Sequence, residues 1–153
     1  MNLIEVLICL AISSIVLFFA LPFTPSLYKK NQLDIIEPDI INAIRFAKTQ
    51  SLMTGDNLLL TPLSGANDWS RGMSLFVDNP QHHYSPGVKQ LREWHWQARG
   101  VQIAWRGFQS TNYLRFATDI SHSAINGYFI IENNANQHVK LIVNRLGRIR
   151  VTF

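Results

Sequence analysis

Cysteine is nearly absent: Cys9 stands alone among 153 residues, so no intramolecular disulfide can form and no cysteine-rich zinc site can be built. Charge is scarce as well. Asp, Glu, Lys and Arg make up 16% of the chain, against about 25% in ordinary soluble domains, while 47% is hydrophobic, which excludes a disordered or low-complexity protein. Residues 3–21 lack both glycine and proline, and no acidic residue follows Glu132. What charge there is divides unevenly. Residues 1–93 carry seven basic and eight acidic groups, whereas residues 94–153 carry seven basic and two acidic ones, so the overall +4 belongs to the C-terminal part. A chain of this length holds one domain with a modest core.

The run at 3–21 (LIEVLICLAISSIVLFFAL) has one charge, Glu5, and as a helix would be roughly 28 Å long, close to the hydrocarbon thickness of a bilayer. A signal peptide calls for a basic leader region and a small-residue cleavage site, and neither is present. A soluble helix would show a polar face, but this stretch is apolar all round apart from Ser13 and Ser14. The reading is a membrane anchor. Glu5 then costs on the order of 2.5 kcal/mol or more if unpaired in lipid. It either sits at headgroup level or pairs with a positive group, such as the N-terminal amine of a neighbouring chain. Lys29 and Lys30 would place the following residues in the cytoplasm by the positive-inside rule, a conflict that a removed basic leader would resolve.

Leu3-Ile4-Glu5-Val6-Leu7-Ile8, followed by Ala11-Ile12 and by Pro22 after the apolar run, resembles the N-terminus of mature type IV pilins and pseudopilins. The resemblance implies that this helix is the assembly handle, with Glu5 and the residue at position 1 as its assembly positions. The family begins with a methylated phenylalanine followed by threonine; here Met1 and Asn2 stand in those places.

Residues 26–54 continue as a helix, with Leu33, Ile36, Ile40, Ile44 and Ala47 forming an apolar stripe. Pro38 predicts a kink or restart, and Gly55 a stop. From there the pattern has period two. Strands are expected at 57–61, 73–78, 91–96, 101–105, 113–116, 128–132, 138–143 and 148–153, separated by turn-rich pieces such as 64–68, 78–80 and 133–136. Residues 79–87 (NPQHHYSPG) read as the most mobile loop. The layout is α+β: a membrane and assembly helix over 1–25, a continuation helix over 26–55, and an antiparallel β-sheet domain over 56–153.

Three later pieces narrow the resemblance. Residues 39–48 (DIINAIRFAK) look like the helix ending in "LRFAR" of H-type pseudopilins and FimT/FimU-like minor pilins. Trp69 followed by residues 71–78 (RGMSLFVD) resembles their tryptophan–glycine–"FVD" strand, although Met73 stands where an aromatic is more usual. Residues 144–150 (NRLGRIR) resemble the closing hairpin, in the Gly-Arg-x-Arg form of FimT-like minor pilins.

The closing hairpin has a definite register. Val139, Leu141 and Val143 meet Ile149, Val151 and Phe153 on one face only if Val143 opposes Ile149 and Leu141 opposes Val151. Arg145-Leu146-Gly147 is then a three-residue loop, with Gly147 where an αL bulge requires glycine. Arg148, Arg150 and Lys140 fall on the opposite face beside Ile142, Arg145 sits at the tip, and the expectation is four converging cations with no acid nearby. Such a patch is a solvated strand face, a surface that packs on a neighbouring subunit, or a phosphate-binding surface for nucleic acid. The FimT-like resemblance implies the second: sequence-independent binding of DNA during natural transformation. Arg99, Arg106 and Arg115 are candidates to extend the patch.

Nothing points to an enzyme or a cofactor: no nucleophile elbow, phosphate loop or paired-carboxylate pattern is present. His82, His83, His95, His122 and His138 lack ligand spacing and read as surface residues. Trp94, Trp96 and Trp105, with Phe108 and Tyr113, could stack on bases but read first as core. Cys9 reads as a small apolar filler. The resemblance as a whole implies a FimT-like minor pilin that is anchored in the inner membrane of a Gram-negative cell, with a periplasmic domain, and then carried in a surface pilus. Its partners would be DNA and other pilin subunits. A purely structural H-type pseudopilin of type II secretion, or a pilus-assembly minor pilin without DNA binding, is the alternative.

Overall fold

The computed structural model describes residues 3–20, 24–63, 68–96, 100–134 and 137–152. Met1, Pro22, Arg99, Phe153, most of the 64–68 turn and half of the 133–136 turn lie outside them. The chain forms two compact units, residues 1–31 and 32–153.

In the first unit, helix α1 spans Leu3–Ala20, and its side chains are exposed from Leu3 through Leu17. Its hydroxyls turn back on their own helix: Ser13 donates to the Cys9 carbonyl at 2.8 Å and Ser14 to the Ala11 carbonyl at 2.8 Å. Both polar groups are thereby satisfied without an outside partner. Glu5 lies in the first turn, where a carboxylate complements the positive end of the helix dipole. Among the described residues no helix is both long and apolar enough to cross a membrane.

Helix α2 spans Thr24–Thr54 and runs on through Pro38, so that of the expected kink or restart the restart does not occur. Proline removes the hydrogen bond to the carbonyl of Asp34, but Asp34 and Pro38 are both exposed, so water can take that carbonyl. The predicted stripe is the buried one: Leu33, Ile36, Ile40, Ile44 and Ala47 are at most 5% exposed, joined by Ala43 and Ser51. Gly55, with φ of 77°, ends the helix as its N–H bonds to the Ser51 carbonyl at 3.0 Å.

Among the described residues eight strands follow: β1 Leu58–Pro62, β2 Gly72–Val77, β3 Gln90–His95, β4 Val101–Gly107, β5 Leu114–Phe116, β6 Gly127–Asn133, β7 His138–Val143 and β8 Ile149–Thr152. They divide into two antiparallel sheets, A in the order β3-β2-β1-β5 and B in the order β4-β6-β7-β8. The chain enters sheet B at β4, returns to sheet A for β5, and completes B with three consecutive strands. One core joins the stripe of α2 to Leu58, Leu60, Met73 and Leu75 of sheet A and to Ile103, Trp105, Phe129 and Leu141 of sheet B.

Strands β1 and β2 depart from simple alternation, since they are buried on both faces. The segment expected to be the mobile loop explains this. Asp78 and His82 meet at 2.7 Å, Asn79 bonds both the carbonyl and the N–H of His83, His82 stacks on Tyr113, and Tyr84 packs edge-on against Phe76 at 5.5 Å. Through Tyr84 the segment covers Phe76 on the outer face of sheet A.

Candidate nucleic-acid interface

Strands β7 and β8 pair with Val143 opposite Ile149 and Leu141 opposite Val151, the register that unites the apolar sets. The loop is built by local bonds. The Gly147 N–H bonds to the Asn144 carbonyl at 2.8 Å, and the Asn144 side-chain oxygen accepts from the N–H groups of Leu146 (3.0 Å) and Arg148 (2.8 Å). Gly147 has φ of 73°, the left-handed region. Lys48 of α2 donates its ammonium to the Leu146 carbonyl, so the helix braces the hairpin tip. Gly147→Ala should therefore cost about 1–2 kcal/mol in a urea titration, because alanine resists positive φ, and Gly147→Asn should recover most of it.

Arg145, Arg148 and Arg150 are exposed and Lys140 is half-buried. Among the described residues, none of the four has a carboxylate within 4.0 Å. Lys140 instead holds its ammonium 4.0 Å from the ring centre of Tyr128, a cation–π contact.

Residues directly paired across an antiparallel sheet share a face, so the two registers of β6 carry the hairpin's outer face across sheet B. One row reads Arg106, Tyr128, Ile142, Arg150; the next reads Ala104, Ile130, Lys140, Thr152; a third reads Gln102, Glu132, His138. Arg106 thus joins the cationic face. Its inclusion depends on strands β4 and β6 being neighbours, which period-two patterns do not reveal. The same rows correct the expectation of a patch with no acid nearby: Glu132 shares the face, one row beyond Lys140. It bounds the cationic area on that side.

Arg115 does not belong to it. It lies on β5 in sheet A, where it donates to the His122 carbonyl at 2.8 Å and stands 4.0 Å from Asp78. Asp119, the other acid of the C-terminal part, is in the turn after β5. Side-chain and backbone hydrogen bonds from Ser121 and the neighbouring His122 hold its carboxyl down at about 2, so it stays ionised at any working pH.

The remaining aromatic candidates are mostly structural. Trp96 is buried and donates to the Trp69 carbonyl at 3.0 Å, and Trp105 is buried and donates to the Ser110 carbonyl at 2.9 Å. Trp94 meets Phe46 edge-on, and the Arg92 guanidinium lies over both rings. Phe108 is 84% exposed. His82, His83 and His95 line a groove of about 740 Å³ on the outer face of sheet A. Among the described residues no three His, Cys, Asp or Glu side chains are placed to hold a metal ion.

No family model and no curated protein matches the sequence. Solved structures do match by shape. The type IV minor pilin FimU of Pseudomonas aeruginosa superposes with a TM-score of 0.63 at 15% identity, over 83% of this chain and 92% of that one. A second crystal form of FimU gives 0.55 at 15% identity, over 76% and 89%. The minor pseudopilin EpsH of the Vibrio cholerae type 2 secretion system gives 0.57 at 8% identity, over 79% and 96%. An α+β chain with an N-terminal helix and two antiparallel sheets, it has the fold of the type IV minor pilins and minor pseudopilins.

Proposed function

We propose that this chain is a minor type IV pilin that binds DNA through its closing hairpin for uptake in natural transformation. Residues 1–25 serve as membrane and assembly helix, 26–55 as the continuation helix, and 56–153 as the β domain that carries the hairpin. Before assembly the chain is held in the inner membrane with its β domain in the periplasm, and it then joins other pilin subunits in a surface filament. Glu5 is the assembly carboxylate. It pairs with a positive group of the adjoining subunit, a role it shares with position 1.

The observation that carries the reading is the exposed trio Arg145, Arg148 and Arg150 on a braced hairpin, flanked by Lys140 and free of carboxylate partners among the described residues. Such cations attract phosphate without regard to sequence, and retraction of the filament would draw the bound DNA inward. The chain performs no catalysis in this reading.

The test is a titration of the chain in non-ionic detergent with a short DNA duplex at several salt concentrations. Four phosphate contacts give a log–log salt slope of about −3.6. A flat titration at low salt overturns the proposal. It would leave the second reading, a structural minor pseudopilin or assembly pilin, which the likeness to EpsH supports equally at the level of fold.

A further inference from the structure

The hairpin is only one edge of a wider surface. Tyr128 occupies the middle of sheet B's outer face, between Arg106 on one side and Ile142 and Arg150 on the other, with Ile130 and Lys140 in the next row. Tyr128 is half-buried, and the Lys140 ammonium lies over its ring at 4.0 Å from the centre. Ile142, beside it, is 38% exposed. A half-buried aromatic ring and one exposed aliphatic side chain set among cations give a duplex nothing beyond charge, because its bases are already stacked on one another. A single strand can use both features, its bases on the ring and its phosphates on the cations.

We infer that the outer face of sheet B is a platform for single-stranded nucleic acid, with a base stacked on Tyr128 while Lys140 swings from the ring to a phosphate between Arg106 and Arg150. This rests on the DNA-binding reading of the hairpin and adds to it a contact with the bases themselves. Glu132 sets where the platform ends, since a phosphate there would meet a like charge.

Fluorescence anisotropy with the chain in non-ionic detergent separates the two ideas. The probes are a labelled oligothymidine and an abasic oligonucleotide of equal length, which keeps every phosphate and lacks every base. The oligothymidine should bind about five- to tenfold more tightly than the abasic strand, a ratio set by one stacked base. Tyr128→Leu, which keeps an apolar side chain on the strand, should bring the ratio to near one while the abasic strand still binds, its phosphates held by Lys140, Arg106 and Arg150. Equal binding of the two probes by the unaltered chain overturns the platform while the hairpin reading stands. If neither probe binds at low salt, both fall. A ratio that survives Tyr128→Leu also overturns the assignment, since the stacking group would then lie elsewhere.

Discussion

Changing Arg145, Arg148 and Arg150 together to glutamine should weaken duplex DNA binding at low salt on the order of a hundredfold or more, and lower the salt slope from about −3.6 to about −0.9. The effect is large because the three side chains are exposed and have no carboxylate partner among the described residues, so each neutralises phosphate instead of a neighbour. Glutamine keeps a polar, flexible side chain and the pairing of β7 with β8, so melting should not move. Arg115→Gln is the matching control. That guanidinium is already engaged with the His122 carbonyl and Asp78 in the other sheet, and its loss should leave DNA affinity nearly unchanged. If Arg115→Gln weakens binding as much as the triple change does, the effect is one of net charge and the hairpin is not the site.

The contrast between those arginines marks what the sequence could show. The hairpin's register follows from two short apolar alternations and one glycine, all within the last fifteen residues, so it could be read locally. The stripe on α2 was legible for the same reason: Leu33, Ile36, Ile40, Ile44 and Ala47 repeat with the period of a single helix. Arg106 and Arg115 were not placeable, because their position depends on which strands become neighbours. That choice is made by long-range packing; β5 crosses to sheet A and β4 stays in B. Glu132 looked remote for the same reason, yet the pairing of β6 with β7 sets it opposite His138 on the cationic face. The continuity of the helix through Pro38 and the local bonds of the 79–87 segment were not legible on other grounds. Proline's penalty depends on whether the freed carbonyl reaches water, and a polar composition does not disclose side-chain bonds such as those of Asn79 and His82.

The same fold serves filaments of different systems, so the assignment to DNA uptake rests on the surface. Both FimU and EpsH superpose on this chain with similar scores, and neither likeness distinguishes one use of the outer face from another. A docking face for another pilin would gain affinity from buried apolar area and lose little with added salt. A phosphate-binding face loses affinity steeply over the same range. The salt slope therefore separates the two readings more cleanly than affinity does.

Beneath that face, Phe129 is the residue whose truncation should cost most. Its neighbours on β6, Tyr128 and Ile130, point outward, whereas Phe129 points inward and is fully buried. Its ring meets Trp69 edge-on at 5.3 Å and Trp105 at 4.7 Å, so one side chain links β4, β6 and the short 3-10 turn Trp69–Arg71 that leads into β2. Phe129→Ala removes most of a large side chain from a site walled by two tryptophans that cannot readily collapse, which predicts a loss of about 3–5 kcal/mol. Set against a typical domain stability of about 5–15 kcal/mol, that is a large fraction, visible as a midpoint shift of about 10 °C or more. Phe129→Leu should cost much less, since it leaves a smaller cavity and keeps the strand apolar. The surface cations are untouched by either change. Below its melting transition the alanine variant should therefore bind DNA with the slope of the unaltered chain, and above it binding should vanish along with the sheet. A loss of under 1 kcal/mol for Phe129→Ala would mean that the tryptophans are not packed around it as described.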